Sequence, residues 1–138
     1  MRAVLPDAMT RSPTLIAVQP LPRYSMRHDL PGAEHVDQGD HTTYRVRGKV
    51  FAYFLDDHHG DGIVSVCVKS ELGENVDRAR REPERFYLPA YIGPRGWFGL
   101  RLDRGRVDWR EVAEVVERSF RLTAPKSVLK RLAAARGP

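Results

Sequence analysis

Residues 42–55 read TTYRVRGKVFAYFL, and the fold follows from how this stretch alternates. Tyr44 and Val46 are apolar, while Thr43, Arg45 and Arg47 around them are polar. The pattern breaks at Gly48-Lys49 and resumes as an apolar run from Val50 to Leu55. Successive side chains on a strand point to opposite faces, so two such runs joined by a glycine-containing turn predict a β-hairpin. With Tyr44 and Val46 inward, Arg45 and Arg47 face outward and Lys49 occupies the turn.

Working outward, DDHHGDG (56–62) reads as a polar loop, and IVSVCVK (63–69) as a third strand with Val64, Val66 and Val68 on one face. SELGENVDRARREPERF (70–86) predicts a short, highly charged helix from Glu74 to Arg81, stopped before Pro83. FYLPAYI (86–92) reads as a fourth strand whose Pro89 belongs at an edge or bulge. IGPRG (92–96) is a turn, and WFGLRLD (97–103) a fifth strand. There Phe98, Leu100 and Leu102 share one face, and Trp97, Gly99 and Arg101 the other.

The clearest helix is VDWREVAEVVERSFRL (107–122). Asp108 is its N-cap, with Glu111 at the capping-box spacing. Trp109, Val112, Val116 and Phe120 form an apolar stripe at helical period, and Arg110, Glu114, Glu117, Arg118 and Arg121 face outward. A last helix begins near TAPKSVLKRLAAA (123–135), with Pro125 in its first turn. Strand connections this short require antiparallel pairing. The expected fold is therefore α+β, a two-layer, five-stranded antiparallel sheet with helices in the order (α)-β(3)-α-β(2)-α-α.

Three segments of this chain resemble the MmcQ/YjbR-like family of small bacterial proteins: YRVRGKVFAYF (44–54), YIGPRGWFGLRLD (91–103) followed by DWREVAEVVERSFRL (108–122), and APK (124–126). The resemblance runs from about Leu30 to Ala134. It implies an α-β(3)-α-β(2)-α arrangement, and because members are commonly labelled DNA-binding, it implies duplex DNA as a partner. The departure lies at the front. The family opens with an amphipathic helix ending in a Leu-Pro-Gly turn; here Leu30-Pro31-Gly32 is present, but Pro20 and Pro22 interrupt what precedes it.

A chain of 138 residues, 41% hydrophobic and 30% charged, has the size and composition of one globular domain. Residues 1–25 hold Pro6, Pro13, Pro20 and Pro22 without clear periodicity and read as a poorly ordered leader. A short helix over Arg23 to Asp29 would follow, and a single domain would span 26–138. The lone cysteine, Cys67, rules out an intramolecular disulfide and fits a reducing, cytoplasmic setting. No run approaches the ~20 apolar residues that span a bilayer, so no membrane partner is expected.

The charge is unevenly spread. Residues 1–94 carry 12 Lys/Arg against 13 Asp/Glu, a net of −1, whereas 95–138 carry 11 against 5, a net of +6. That asymmetry is the footprint of a polyanion-binding face, although a bias toward arginine would also produce it. The Gly-Pro-Arg-Gly-Trp turn has two readings. In one, its glycines relieve steric conflict, Trp97 covers the sheet and Arg95 is merely solvated. In the other it is a wing with Arg95 at the tip and Arg101, Arg104 and Arg106 along its flank, aimed at phosphates that guanidinium groups bond in pairs. Arg45, Arg47 and Lys49 offer a second basic hairpin turn. Lys126, Lys130 and Arg131 add cations to the last helix. Trp97 either packs beneath the wing or stacks on a ligand.

Other chemistry is thin. His35, Asp37, His41, Asp56, Asp57, His58, His59 and Asp61 crowd together without a recognisable ligand spacing, so they read as a polar hairpin loop and no metal is expected. Cys67 alternates with valines, as an inert sheet residue would. Ser65, Ser70, Ser119 and Ser127 lack any nucleophile setting. No enzyme signature and no cofactor motif stand out. The expectation is a DNA-binding protein. A protein-interaction adaptor or homodimer using an exposed sheet face with Tyr53 and Trp97 is the alternative, and a small-molecule site beside the Gly-rich turn comes third.

Overall fold

The hairpin turns at Arg47-Gly48, one residue earlier than the alternation suggests. Both residues have positive φ, 50° and 79°, the twist that joins two strands most tightly. Arg47 therefore sits in the turn, and Lys49, expected there, opens the second strand opposite Val46. The computed structural model describes residues 30–137. The expected leader (1–25) and the short helix over Arg23–Asp29 lie outside the described residues.

Among the described residues, six strands form one antiparallel sheet: β1 (Ala33–Asp37), β2 (His41–Val46), β3 (Lys49–Asp56), β4 (Val64–Lys69), β5 (Phe86–Tyr87) and β6 (Trp97–Arg101). Their spatial order is β1-β2-β3-β4-β6-β5. Helix α1 (Glu74–Arg81) lies between β4 and β5, and α2 (Trp109–Thr123) and α3 (Lys126–Arg136) follow β6. The α+β class holds, but the sheet has one strand more than the five expected. The additional strand, β1, reads AEHVD and exposes nearly all of its side chains. As an edge strand held by its ladder to β2, it has no apolar alternation to betray it. The fourth strand is shorter than expected, because after Tyr87 the chain passes through Pro89 and leaves the ladder.

One face of the sheet makes the core. Phe86, Leu100, Val66 and Phe54 are neighbours across the strands, as are Phe98, Val68, Ala52 and Tyr44. Val112, Val115, Val116 and Phe120 of α2 pack on them, joined by Val128 and Leu132 of α3. Asp108 caps α2, its carboxylate accepting from the amides of Arg110 at 3.0 Å and Glu111 at 3.3 Å. Glu111 does not close a capping box; its side chain pairs with Arg85 instead. No helix among the described residues is long and apolar enough to cross a membrane.

The register of the hairpin slips once. Tyr44 stands opposite Ala52 and Arg45 opposite Val50, so Phe51 is an extra residue on β3. A bulge of this kind leaves backbone groups without ladder partners. Phe51 turns inward against Phe120, ring centroids 5.3 Å apart and edge to face. The buried hydroxyl of Ser119 on α2 donates to the Phe51 carbonyl and accepts from the Lys69 amide at 2.8 Å. One hydroxyl thus satisfies an acceptor on β3 and a donor on β4.

Ser119→Ala leaves both groups buried and unpaired. It is expected to lower stability by about 1–3 kcal/mol, read as a fall in the urea midpoint with little change in slope.

Candidate nucleic-acid interface

Strand β6 separates the cations that the sequence groups into one wing. Its five residues span about 13 Å at ~3.3 Å per residue. Arg95 precedes the strand, whereas Arg104 and Arg106 follow it, so they occupy opposite ends of the sheet. Arg101 is not free to meet a phosphate. Its guanidinium holds the Asp103 carboxylate at 2.9 and 3.0 Å, and that carboxylate also accepts the Val64 amide at 3.2 Å. Arg104 and Arg106 line a small recess with Arg85, Asp108 and Glu111, where Glu111 pairs with Arg85 and Asp108 caps α2. The single flank of aligned guanidinium groups does not form.

The turn carrying Arg95 is rigid. Gly93–Arg95 make one 3-10 turn, closed by Gly96 at φ 97°. The Ser70 amide and hydroxyl both donate to the Gly96 carbonyl at 2.8 Å. Asn75, buried on α1, donates its side-chain amide to the carbonyls of Gly93 at 2.8 Å and Trp97 at 3.0 Å. A Cβ at Gly96 would stand 2.7 Å from the Ser70 carbonyl oxygen. The glycine is therefore required by close packing as well as by φ. Trp97 is 5% exposed and lies against Tyr53, centroids 5.4 Å apart. It packs beneath the turn and offers no face to a ligand.

Three cations from three elements do converge beside this turn: Lys49 at the start of β3, Lys69 at the end of β4, and Arg95. Lys69 stands opposite Trp97 across the ladder, its ammonium 5.7 Å from the indole centroid. Partial burial lowers the Lys69 pKa first, and the charges of Arg95 and Lys49 lower it further. None of the three forms an ion pair with another described residue. Arg47 is exposed in the hairpin turn at the same end.

Lys69 is the residue that sequence reading omits. Its signal was present: it follows Val64, Val66 and Val68 on the opposite phase of the strand, and so faces away from the core. Arg45 is exposed and stands opposite Glu34 of β1 in the ladder. The last turn of α2 lies over this end of the sheet, where Ser119 bridges Phe51 and Lys69, so α3 starts beyond it. Lys126, Lys130 and Arg131 are exposed on α3, and its N-cap residue, Pro125, supplies no side-chain hydrogen bond.

The face of the sheet away from the helices is partly covered. Tyr87 lies across Gly99, where a Cβ would meet its ring at 2.2 Å. Its hydroxyl is 2.7 Å from Ser65 Oγ and 3.6 Å from Cys67 Sγ. Burial pushes the Cys67 thiol up to about 11, in keeping with an inert sheet residue. Beyond Tyr87 the segment through Pro89 and Ile92 folds back over Tyr53 and Leu55, enclosing a cleft of about 270 Å³. Tyr53, considered for a docking face, lines this cleft.

Comparison with known proteins agrees with the architecture. The YjbR family model matches residues 28–122. The crystal structure of Deinococcus radiodurans protein DR2400, which carries the family domain DUF419, superposes with a TM-score of 0.63 at 15% identity. The match covers 83% of this chain and 86% of that one, a likeness of fold. No curated protein matches the chain.

Gly96→Ala is expected to cost of the order of 1–3 kcal/mol, because the backbone strain comes with a clash against the Ser70 backbone carbonyl. Gly105→Ala also has positive φ but open space around it, and should cost less. Thermal melting of the two variants side by side checks the order.

Proposed function

The chain belongs to the YjbR family, and from that premise we propose that it is a cytoplasmic nucleic-acid-binding protein. It holds duplex DNA by its phosphates at the end of the sheet where Lys49, Lys69 and Arg95 meet, and it acts by binding, without a catalytic step. The observation that carries this reading is the convergence itself. Three positive charges from separate elements lie close enough for two of them to disfavour the charged form of Lys69, with no described carboxylate paired to any of them. Like charges gathered without a counter-ion raise the free energy of the surface, and a bound anion removes that cost.

Phosphate is the anion this set suits. Arg95 stands on a turn fixed by Ser70 and Asn75, so its guanidinium can make paired bonds to phosphate oxygens with little loss of backbone freedom. Lys49, Lys69 and Arg47 act as point charges along the same edge. Contacts of this type fix the position of a duplex without reading its bases. Arg104 and Arg106, at the far end and beside carboxylates, lie outside the contact set. Lys126 extends it from the first turn of α3, where a cation opposes the helix dipole and a phosphate would relieve it.

With roughly four phosphate contacts, affinity for duplex DNA should fall about a hundredfold between 50 and 200 mM salt. Lys49→Glu with Arg95→Glu is expected to abolish retardation of a labelled duplex at low salt. Arg104→Glu with Arg106→Glu should leave it nearly unchanged. Equal loss in both pairs, or an affinity indifferent to salt, would count against this site.

A further inference from the structure

Of the crowded histidines and acids of residues 35–61, the fold brings three into one compact group. Asp40 immediately precedes β2, His41 opens it, and His58 begins the 3-10 turn His58–Gly60 after β3. His41 Nδ1 lies 2.8 Å from one oxygen of the Asp40 carboxylate, and His58 Nδ1 lies 2.9 Å from the other. The two imidazoles are 4.9 Å apart between centroids. Donor atoms of all three residues fall within 4.8 Å of one another. We propose that Asp40, His41 and His58 bind a divalent first-row transition-metal ion of the zinc type, at the mouth of the sheet-face cleft.

Geometry and donor chemistry both point that way. Zinc sits about 2.0–2.2 Å from imidazole nitrogen and carboxylate oxygen, which places tetrahedral ligand atoms roughly 3.3 Å apart. The two His–Asp contacts, each to a different carboxylate oxygen, are about half an ångström shorter than that spacing. The ligand atoms all lie within 4.8 Å of one another, so side-chain rotation is enough to gather them around an ion. Each of those contacts is a hydrogen bond whose proton an ion would replace, with the Nδ1 lone pairs and the carboxylate becoming ligands. Two imidazoles with one carboxylate suit zinc, cobalt or nickel. Magnesium and calcium prefer sites built wholly from oxygen. The side chains are accessible, Asp40 at 48% and the histidines at 25% and 27%. His41 and His58 line the cleft together with Asp61, so a fourth position would lie beside it, open to water or a small anionic ligand.

The backbone holds the donors in place. The Asp40 carbonyl accepts the Asp56 amide at 2.9 Å, and the His41 carbonyl accepts the Gln38 amide at 2.8 Å. His58 follows Asp57, a non-glycine residue at φ 56°. That conformation is fixed by the Asp57 amide donating to the Ile63 carbonyl at 2.9 Å, and by the Asp57 carboxylate accepting the Gly62 amide at 2.6 Å. Strain of this kind at a non-glycine residue persists only where surrounding bonds over-determine it. The group stands at the opposite end of the sheet from Lys49, Lys69 and Arg95, so it does not depend on the nucleic-acid reading.

The test uses the full chain without an affinity tag, stripped with a chelator and titrated with zinc by calorimetry and with cobalt by visible absorption. One ion per chain is expected, with the absorption bands of a low-coordinate nitrogen–oxygen cobalt site. His41→Gln, His58→Gln and Asp40→Asn should each weaken binding by at least about tenfold, and the double histidine variant should lose it. Zinc should raise the melting temperature of the wild type and leave that of the double variant unmoved. Circular dichroism of the double variant without metal confirms that its fold is intact. No stoichiometric zinc binding by the wild type overturns the proposal, as does equal affinity in the double variant. Competition by magnesium at equal concentration overturns the assignment of ion class.

Discussion

A single hydroxyl stands where a rung of the β-ladder would be. Where the bulge carries Phe51 out of register, Ser119 of α2 enters between β3 and β4, donating to one and accepting from the other. Sixty-eight residues separate it from Phe51, so the bond ties the hairpin to the helix that covers it. Removing a partner from a buried backbone group costs more than the bond itself contributes. The serine is therefore as much part of the sheet as of the helix. Its position fixes how α2 lies across β3 and β4, brings Phe51 and Phe120 together, and sets the end of β4 from which Lys69 projects. The cation-rich edge is a downstream consequence of that fit.

The electrostatics divide into structural and unsatisfied charge. Glu74 takes both Arg118, at 2.6 and 3.0 Å, and Arg78. The hydrogen bonds from Arg118 lead in holding its carboxyl below the usual range. Glu117 is shared by Arg121 and Arg136, and Arg101 by Asp103. Apart from the shielded Arg101–Asp103 pair, they are partly exposed and contribute little stability one by one, but they occupy several arginines of the positive carboxy-terminal third. The net charge of that third already subtracts Asp103 and Glu117, so the pairs decide which of its cations remain for a partner, not how many. Lys49, Lys69 and Arg95, which form no ion pair with another described residue, gather where the turn before Trp97 meets the ends of β3 and β4.

Alternation and capping made most of the architecture legible. Val64, Val66 and Val68, or Phe98, Leu100 and Leu102, announce strands because one face must be apolar, and Asp108 announces the start of α2 because a carboxylate there captures free amides. Strand β1 escaped because an edge strand can be held by hydrogen bonds alone. The site was less legible for a related reason. Arg95 and Arg106 are eleven positions apart and look like neighbours on one loop, but a strand runs between them and carries them to opposite ends. Glu111 and Asp103 look like surface acids and turn out to be counter-ions. Lys49 and Lys69 lie twenty positions apart and are brought together only by antiparallel pairing. Asp40 and His58 are likewise joined by the return of a hairpin. Local pattern reports which way a side chain faces. Proximity depends on register, which a bulge can shift by one residue.

Tyr87 fills the space left by the missing side chain of Gly99 and closes over the thiol of Cys67. Its strand contributes two residues to the ladder, the smallest share of any in the sheet. Phe86 beside it is anchored in the core, so the thiol becomes reachable only when this edge opens together with that anchor. Cys67 is then a built-in clock. The pace at which a thiol reagent labels it in native buffer measures how often this edge of the domain detaches, with no probe added.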